Sequence, residues 1–271
     1  MSVFNDSWLD DQQALTGADP ILRRLAEAGA RVRREAADSA EPISLLQGLP
    51  RPRAVIAAGT EARFIRAMLE PVCPVPFVAW PTHSLPGWVG ALDLVVVMAS
   101  ESAPAGLIAT VHEAVRRGSQ LLIACPRPSM IAEHAVSRST IVLPTATADP
   151  LAAAIVVLDG LHAMQLGPEV HPQLVADAMD KVAEECSTFA DVSENPAKDL
   201  AMGLADAQPL VWGGSVLAAR ASRRIAEGLR AASGRAALAA DADALLPILE
   251  STNPRDPFAD PFEDQISVDR R

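Results

Sequence analysis

The chain has 271 residues, of which 49% are hydrophobic and 21% are charged, and its formal net charge is -11. This composition is typical of a globular protein with a sizeable buried core. It argues against a nucleic-acid-binding surface, because phosphate backbones are bound by clustered Lys and Arg. No apolar run approaches the roughly 20 residues of a membrane span, and the acidic N-terminus lacks the basic start of a signal peptide. We therefore expect a soluble, cytoplasmic protein that does not bind membranes.

Residues 1–50 are predicted to be helical. Asp19-Pro20 is a helix-start signal, with a capping side chain followed by proline in the first turn. Apolar residues then recur at helical spacing: Ile21, Leu22, Leu25, Ala28 and Val32. The positions between them carry charges and predict a solvated face: Arg23, Arg24, Glu27, Arg31, Arg33 and Arg34.

Residues 51–148 alternate short apolar runs with helical segments. The predicted strands are residues 54–58, 75–80, 94–98, 121–125 and 140–143. Their apolar character is continuous rather than alternating, which indicates a sheet covered on both faces. Strands separated by helices indicate parallel βαβ units. The sequence therefore predicts an α/β fold, with a doubly wound parallel sheet between two helical layers.

Residues 149–205 are predicted to form bridging helices, and at 206–250 the strand–helix pattern restarts. There a strand at 209–212 leads into the tight turn Gly213-Gly214-Ser215 and a helix at 216–232. This second α/β set is about half as long as the first, so we expect a partial second domain. Residues 251–271 contain two Asp-Pro-Phe repeats among acidic residues, which predict a disordered loop or tail because proline interrupts regular structure repeatedly.

The predicted strand at 94–98 ends in a small, Ser-rich turn that suits a phosphate group. It reads Ala99-Ser100-Glu101-Ser102-Ala103-Pro104-Ala105-Gly106 and precedes a predicted helix. At such a junction, free backbone N–H groups and serine hydroxyls converge on an anion. The alternative is that the serines only cap the helix. Pro104 has no N–H and Ala103 does not tolerate a positive φ, so the loop offers fewer donors than a glycine-rich cradle.

From about residue 53 to 240 the chain resembles the bifunctional phosphoglucose/phosphomannose isomerases, which have two sugar isomerase (SIS) domains. Their glycine-rich first turn matches Gly59-Thr60, their Ser-rich turn matches Ser100 and Ser102, and their N-P-A-K-x-L-A motif matches Asn195-Pro196-Ala197-Lys198-Asp199-Leu200-Ala201. The resemblance implies a phosphorylated hexose as ligand and a homodimer as a common assembly. It also implies roles for individual residues: phosphate binding for Gly59, Thr60, Ser100, Ser102, Gly213, Gly214 and Ser215, and a general base for Glu227.

The sequence departs from the family at the positions that perform the chemistry. The histidine that opens the sugar ring is replaced by Asp243, and the arginine that follows the fifth strand is absent near Asp149-Pro150. Glu227 also lies at ion-pair spacing from several arginines, which is typical of an exposed salt bridge. Two functions therefore stay open: a hexose-6-phosphate isomerase with an eroded site, or a non-catalytic phosphosugar-binding regulator or partner of sugar-phosphate enzymes.

The remaining polar residues predict neither a cofactor nor a metal site. The histidines are scattered and have no spacing that pairs them as metal ligands. His83 alone lies in a turn at the open end of the predicted sheet, where it could reach a ligand. The three cysteines, Cys73, Cys125 and Cys186, are far apart and odd in number, which predicts free thiols in a reducing compartment.

Overall fold

The computed structural model describes residues 5–59, 61–80, 82–205 and 207–252. It divides into two compact units, Met1–Ala207 and Gln208–Arg271. This division lies next to the predicted start of the second domain at 206, whereas the predicted boundaries at 50 and 148 fall inside the first unit. The predicted tail lies outside the described residues from position 253 onward.

The first unit begins with helices and continues as an alternating α/β chain. Short 3-10 turns at Asp6–Leu9 and Thr16–Ala18 flank the first of three helices, α1 (Gln12–Leu15), α2 (Asp19–Ala26) and α3 (Ala28–Ser44). The alternating part is β1 (Val55–Ala58), α4 (Ala62–Leu69), β2 (Phe77–Trp80), β3 (Leu94–Met98), α5 (Ala105–Arg116), β4 (Gln120–Cys125), α6 (Met130–His134) and β5 (Thr140–Pro144). Three further helices follow, α7 (Pro150–Ala163), α8 (Pro172–Glu185) and α9 (Pro196–Leu204).

The five strands form one parallel sheet in the order β2-β1-β3-β4-β5. Every residue of β1 and β3 is buried, because helices cover both faces of the sheet. Residues of α3, α4 and α7 share one apolar core with the sheet, and residues of α5 and α6 share a second core. The predicted doubly wound, three-layer fold is confirmed.

Helix α7 packs on the sheet as part of the same unit. Its apolar residues are buried nearly all the way around, including Ala154, Val157 and Leu161, as expected of a helix that is covered on several sides. Helix α3 packs against α7, α8 and β5. The N-terminal helices are therefore integral to the α/β unit.

The carboxylate of Glu35 fastens α3 to the segment that follows β5. Glu35 is fully buried, and it accepts hydrogen bonds from the backbone N–H groups of Ala146 at 3.0 Å and Thr147 at 2.6 Å. The Thr147 hydroxyl donates to the same carboxylate. A buried carboxylate is tolerated when donors surround it in this way.

The second unit is smaller. It contains β6 (Leu210–Val211), α10 (Val216–Ser233), β7 (Leu238–Ala239) and α11 (Ala242–Ser251), and β6 pairs with β7 in parallel. It is thus a single βαβ unit with one further helix, and its interpretation as an incomplete SIS domain stays a prediction. Among the described residues of both units, no helix has the length and apolar character required to cross a bilayer.

We expect Glu35→Gln to lower the free energy of unfolding by about 2 kcal/mol, because the amide presents donor hydrogens to N–H groups that require an acceptor. The matched control is Glu41→Gln, an exposed glutamate near the end of the same helix, which should change stability by less than about 0.5 kcal/mol. Urea unfolding at neutral pH measures both values. Equal effects of the two substitutions would contradict the role assigned to Glu35.

Candidate functional site

The strand order places a topological switch point between β1 and β3, where a crevice is expected at the carboxyl edge of an open parallel sheet. These neighbouring strands lead into helices on opposite faces, since α4 contributes to one core and α5 to the other. In open parallel sheets, ligands bind at such a topological switch point. The two turns predicted to hold phosphate, at Gly59 and at Ser100–Ser102, directly follow these two strands.

Gly59 brings the turn after β1 against the end of β3. Its φ is +101°, and a Cβ at this position would lie 2.9 Å from the carbonyl oxygen of Met98. Both the backbone conformation and the close approach therefore require glycine. Thr60, the second predicted ligand in this turn, lies outside the described residues, so its role stays a prediction.

The segment from Ser100 to Gly106 has backbone N–H groups without an acceptor. Ser100 and Ser102 are exposed, and their Oγ atoms lie 3.4 Å apart. The residue at the N-cap of α5 is Pro104, and no side chain caps this helix. Ser100 and Ser102 therefore do not cap α5, which was the alternative to phosphate binding. Six backbone N–H groups find no acceptor in the described part of the chain: those of Ser100, Glu101, Ser102, Ala103, Ala105 and Gly106.

The two following helices at the same edge are capped. The Ser129 hydroxyl accepts from the N–H of Ala132 at the start of α6, and the Asp149 carboxylate accepts from Leu151 and Ala152 at the start of α7. The first N–H groups of α7 are therefore satisfied within the protein, and one N–H of α6 is satisfied by its cap. The N-terminus of α5 instead has donors available for an external anion.

Trp80, on the strand beside β1, has a side-chain donor without a partner. It is the last residue of β2 and pairs in register with Ala58 of β1. Its indole N–H is buried without a hydrogen-bond partner. A buried donor with no acceptor is costly and uncommon, and it indicates a place where a ligand or water can supply the acceptor.

The segment after β5 carries an ion pair instead of the arginine that the resemblance implies. Asp149 bonds the Arg31 guanidinium at 2.8 Å, and the two side chains are 13% and 15% exposed. Arg31 also donates to the backbone carbonyl of Arg24. The prediction of a solvated face is therefore wrong for Arg31, because this arginine reaches from α3 to the start of α7. No local sequence pattern indicates this contact, since the partners are 118 positions apart.

The Asp149–Arg31 pair sets the ionisation of Asp149. Burial raises the pKa of Asp149, but the hydrogen bonds from Arg31, Leu151 and Ala152 outweigh burial, so the net pKa lies below its ordinary value. The ionised carboxylate is therefore favoured in the folded protein. Its contribution to stability is present above the ordinary aspartate pKa of about 3.9 and is lost as the pH falls through the lower value in the folded state.

The residues predicted in the second unit have local partners. The Ser215 hydroxyl accepts from Ala218 N–H and caps α10, and a Cβ on Gly213 would lie 2.4 Å from the Ala218 carbonyl oxygen. The Gly213-Gly214-Ser215 turn is therefore tightly packed against the start of α10. Glu227 lies on α10 with its side chain 56% exposed, 4.0 Å from the Arg220 guanidinium. The phosphate-binding and general-base roles of these residues stay predictions.

The Asn195–Ala201 motif has a structural explanation. The Asn195 side chain caps α9 by accepting from Ala197 and Lys198. The Lys198 side chain is 7% exposed, and its Nζ donates to Asp10 and to the carbonyl oxygens of Thr188 and Ala190. The motif therefore fixes the segment between α8 and α9 in place.

Other side chains do not form a metal centre in the part of the chain that the structure describes. No group of three or more His, Cys, Asp and Glu residues is arranged to hold a metal ion there.

An open groove of about 600 Å³ lies beside α6, lined among others by Arg127, Ala132 and Val136. This groove lies apart from the turns that follow β1 and β3.

No protein-family profile and no curated protein sequence matches the chain. Solved structures do match. The C-terminal domain of glucosamine-fructose-6-phosphate aminotransferase from Francisella tularensis has a TM-score of 0.56 at 11% identity, over 83% of this chain and 71% of that one. A protein provisionally assigned as sugar-binding from Salmonella typhimurium LT2 has a TM-score of 0.58 at 16% identity, over 89% and 82%.

A third match is a protein from Clostridium difficile 630 that is provisionally assigned as a phosphosugar isomerase. Its TM-score is 0.58 at 10% identity, over 90% of this chain and 77% of that one. At such low identities the likeness shows the fold alone. The chain therefore has the parallel-sheet α/β fold of SIS-domain proteins, and its relation to the bifunctional phosphoglucose/phosphomannose isomerases stays a prediction.

We expect Arg31→Met to lower the free energy of unfolding by about 2 kcal/mol at pH 7, because Asp149 loses a charged hydrogen-bond partner. The difference from wild type should shrink as the pH falls below about 4, where Asp149 becomes protonated in the variant and then in the wild type. Urea unfolding of both proteins from pH 7 to pH 3 measures this dependence.

The control for this prediction is Arg34→Met, since Arg34 is exposed on the same helix and lies 3.9 Å from Asp38. It should have a small effect that does not depend on pH in this range. A pH-independent difference between wild type and Arg31→Met would show that the ion pair does not stabilise the fold.

Proposed function

We propose that this protein binds a phosphorylated hexose in the crevice between β1 and β3, with the phosphate ester held by the turn after each strand. The observation that carries the proposal is the set of six unpaired N–H groups from Ser100 to Gly106, together with the hydroxyls of Ser100 and Ser102. Gly59 allows the opposite turn to approach closely, and Thr60 is its proposed partner in contacting the phosphate.

The chemistry of a phosphate ester suits this place. A phosphate dianion has several acceptor oxygens that all need hydrogen-bond donors. Backbone N–H groups at a helix N-terminus provide such donors together with a favourable dipole. The formal net charge of -11 does not oppose such local binding, since the donors lie within hydrogen-bond distance while distant charges are screened over about 10 Å.

The similarity to known structures supports the ligand class. The matched proteins include an enzyme domain named for fructose-6-phosphate and proteins provisionally assigned to phosphosugars. We extend that ligand class to this chain as part of the proposal. Glucose 6-phosphate, fructose 6-phosphate and mannose 6-phosphate are the ligands that the resemblance to the isomerase family implies, and homodimerisation stays a prediction.

Two forms of this function differ in turnover. An aldose–ketose isomerase needs a base above C1 and C2 and a group that opens the sugar ring. The exposure of Glu227 and its proximity to Arg220 support a non-catalytic phosphosugar-binding regulator or partner over an isomerase. The occurrence of Asp243 where the family has histidine supports the same choice.

Saturating ligand should raise the melting temperature. A hexose phosphate at 100 times its Kd adds about 2.7 kcal/mol of stability, which corresponds to about 5–10 °C for a domain of this size. Replacing both serines, Ser100→Ala with Ser102→Ala, should weaken binding about tenfold and halve this stabilisation, because two donors to a charged group are lost. Differential scanning calorimetry with each of the three hexose phosphates measures the shift.

A matched control is Ser129→Ala, at the next strand–helix junction of the same edge. Loss of the α6 cap should lower the melting temperature by about 2–4 °C without ligand and leave the ligand-induced shift intact. The Ser100/Ser102 double variant should show the opposite pattern. If no hexose phosphate shifts the melting temperature of the wild type, phosphosugar binding is wrong.

The test for catalysis is a coupled assay of fructose 6-phosphate formation from glucose 6-phosphate and from mannose 6-phosphate. For a non-catalytic protein we expect no turnover above the uncatalysed rate in the wild type or in Glu227→Gln, and equal ligand-induced stabilisation in both. Turnover in the wild type that Glu227→Gln lowers at least 100-fold would instead identify Glu227 as the base. Turnover that survives this substitution would exclude Glu227 from that role.

A further inference from the structure

The segment between β2 and β3 is fastened to the first turns of α5. Ser84 has a φ of +88°, a conformation that favours glycine and costs energy for serine. Its N–H donates to the Thr110 hydroxyl at 2.8 Å, and that hydroxyl donates to the Gly106 carbonyl oxygen at 2.8 Å. Thr110 is buried, so this relay holds the strained backbone against the start of the helix.

A second contact fixes the same segment further along. The Arg117 guanidinium, just after the end of α5, donates to the Pro86 carbonyl oxygen at 2.6 Å. Leu85 is buried in the core that α5 shares with the sheet. The segment is therefore attached to α5 at Thr110 and just beyond its end at Arg117, and these contacts limit where the residue before Ser84 can lie.

That residue is His83, and its imidazole lies against Gly106. A Cβ on Gly106 would be 2.3 Å from Cγ of His83 and 2.6 Å from its Nδ1. Gly106 is the second residue of α5, so the ring lies over the helical turn that carries the unpaired N–H groups. His83 is exposed, and in the described part of the chain neither ring nitrogen has a hydrogen-bond or ion-pair partner.

We propose that His83 is a ligand-binding residue of the phosphosugar site and donates a ring N–H to the ester phosphate. This inference rests on the proposed function. An imidazole always carries at least one N–H donor, and its protonated form carries two. The donor compensates for Pro104, which has no N–H, and for the glycine that the loop lacks. A Cβ at position 106 would displace the ring from this place.

Isothermal titration with glucose 6-phosphate at fixed pH and ionic strength tests the proposal. His83→Ala should raise the Kd about tenfold, which equals about 1.4 kcal/mol, and His83→Gln, which keeps a side-chain N–H donor, should recover part of the loss. His134→Ala, at an exposed histidine on α6, is the matched control and should leave the Kd unchanged. Inorganic phosphate is used as a competitor, and His83→Ala should weaken its binding by the same factor.

Gly106→Ala provides an independent test because it displaces the imidazole without removing it. It should also weaken glucose 6-phosphate binding about tenfold, and it should add little when His83 is already alanine. Full additivity of the two substitutions would show that Gly106→Ala does not act through His83.

Each remaining outcome distinguishes this inference from the proposed function. If the wild type binds glucose 6-phosphate and His83→Ala binds it equally well, the role of His83 is wrong and the phosphosugar site stands. If the loss affects glucose 6-phosphate but not inorganic phosphate, His83 contacts the sugar and the proposed phosphate contact is wrong. If the wild type binds neither ligand, both proposals fail.

Discussion

The parallel pairing of β1 with β3 is the constraint on which the candidate site depends. The strands β2 and β3 are consecutive in the chain but are not neighbours in the sheet, because β2 pairs with β1 on the side away from β3. The helices after β1 and β3 consequently leave on opposite faces, and the turns that precede them meet at one edge. Gly59 makes this meeting close, since its backbone reaches the carbonyl oxygen of Met98 where a side chain would collide. A ligand in the crevice can therefore contact both turns at once.

The helices that begin at the carboxyl edge of the sheet differ in how their N-termini are capped. Ser129 and Asp149 cap α6 and α7 from within the protein, and Arg31 and Glu35 hold the segment after β5 from α3. Capping and ion pairing stabilise that side of the edge. The start of α5 has no such cap, so this helix lacks the stabilisation that a capping side chain would give it. This inequality is expected of a binding site, because a donor already satisfied by the protein cannot contribute to affinity.

Sequence patterns predicted the sheet well because they depend on local properties. Continuous apolar runs located all five strands to within two residues of their ends, and the Ser-rich turn after β3 was visible as a break between a strand and a helix. The contacts that organise the edge were not predictable in this way. Arg31 contacts Asp149 across 118 positions of the sequence, and Glu35 contacts Thr147 across 112. From the sequence pattern alone, Arg31 belongs to the charged, solvated face of a helix. The placement of His83 on Gly106 likewise depends on a buried threonine that no local pattern identifies.

The two halves of the proposed chemistry differ in how much sequence change they tolerate. A phosphate group is held largely by backbone N–H groups, which persist when the side chains of a loop are replaced, provided that the strand and the helix on either side remain. Turnover needs particular side chains, a base and an acid with suitable pKa values, and a single substitution removes either one. Under the proposed function, the loop after β3 can therefore contribute backbone donors although it is not glycine-rich, whereas the resemblance implies a histidine for ring opening where this chain has Asp243. The exposed Glu227 and the uncapped start of α5 therefore agree with the proposed function in its non-catalytic form, in which a phosphosugar binds without turnover.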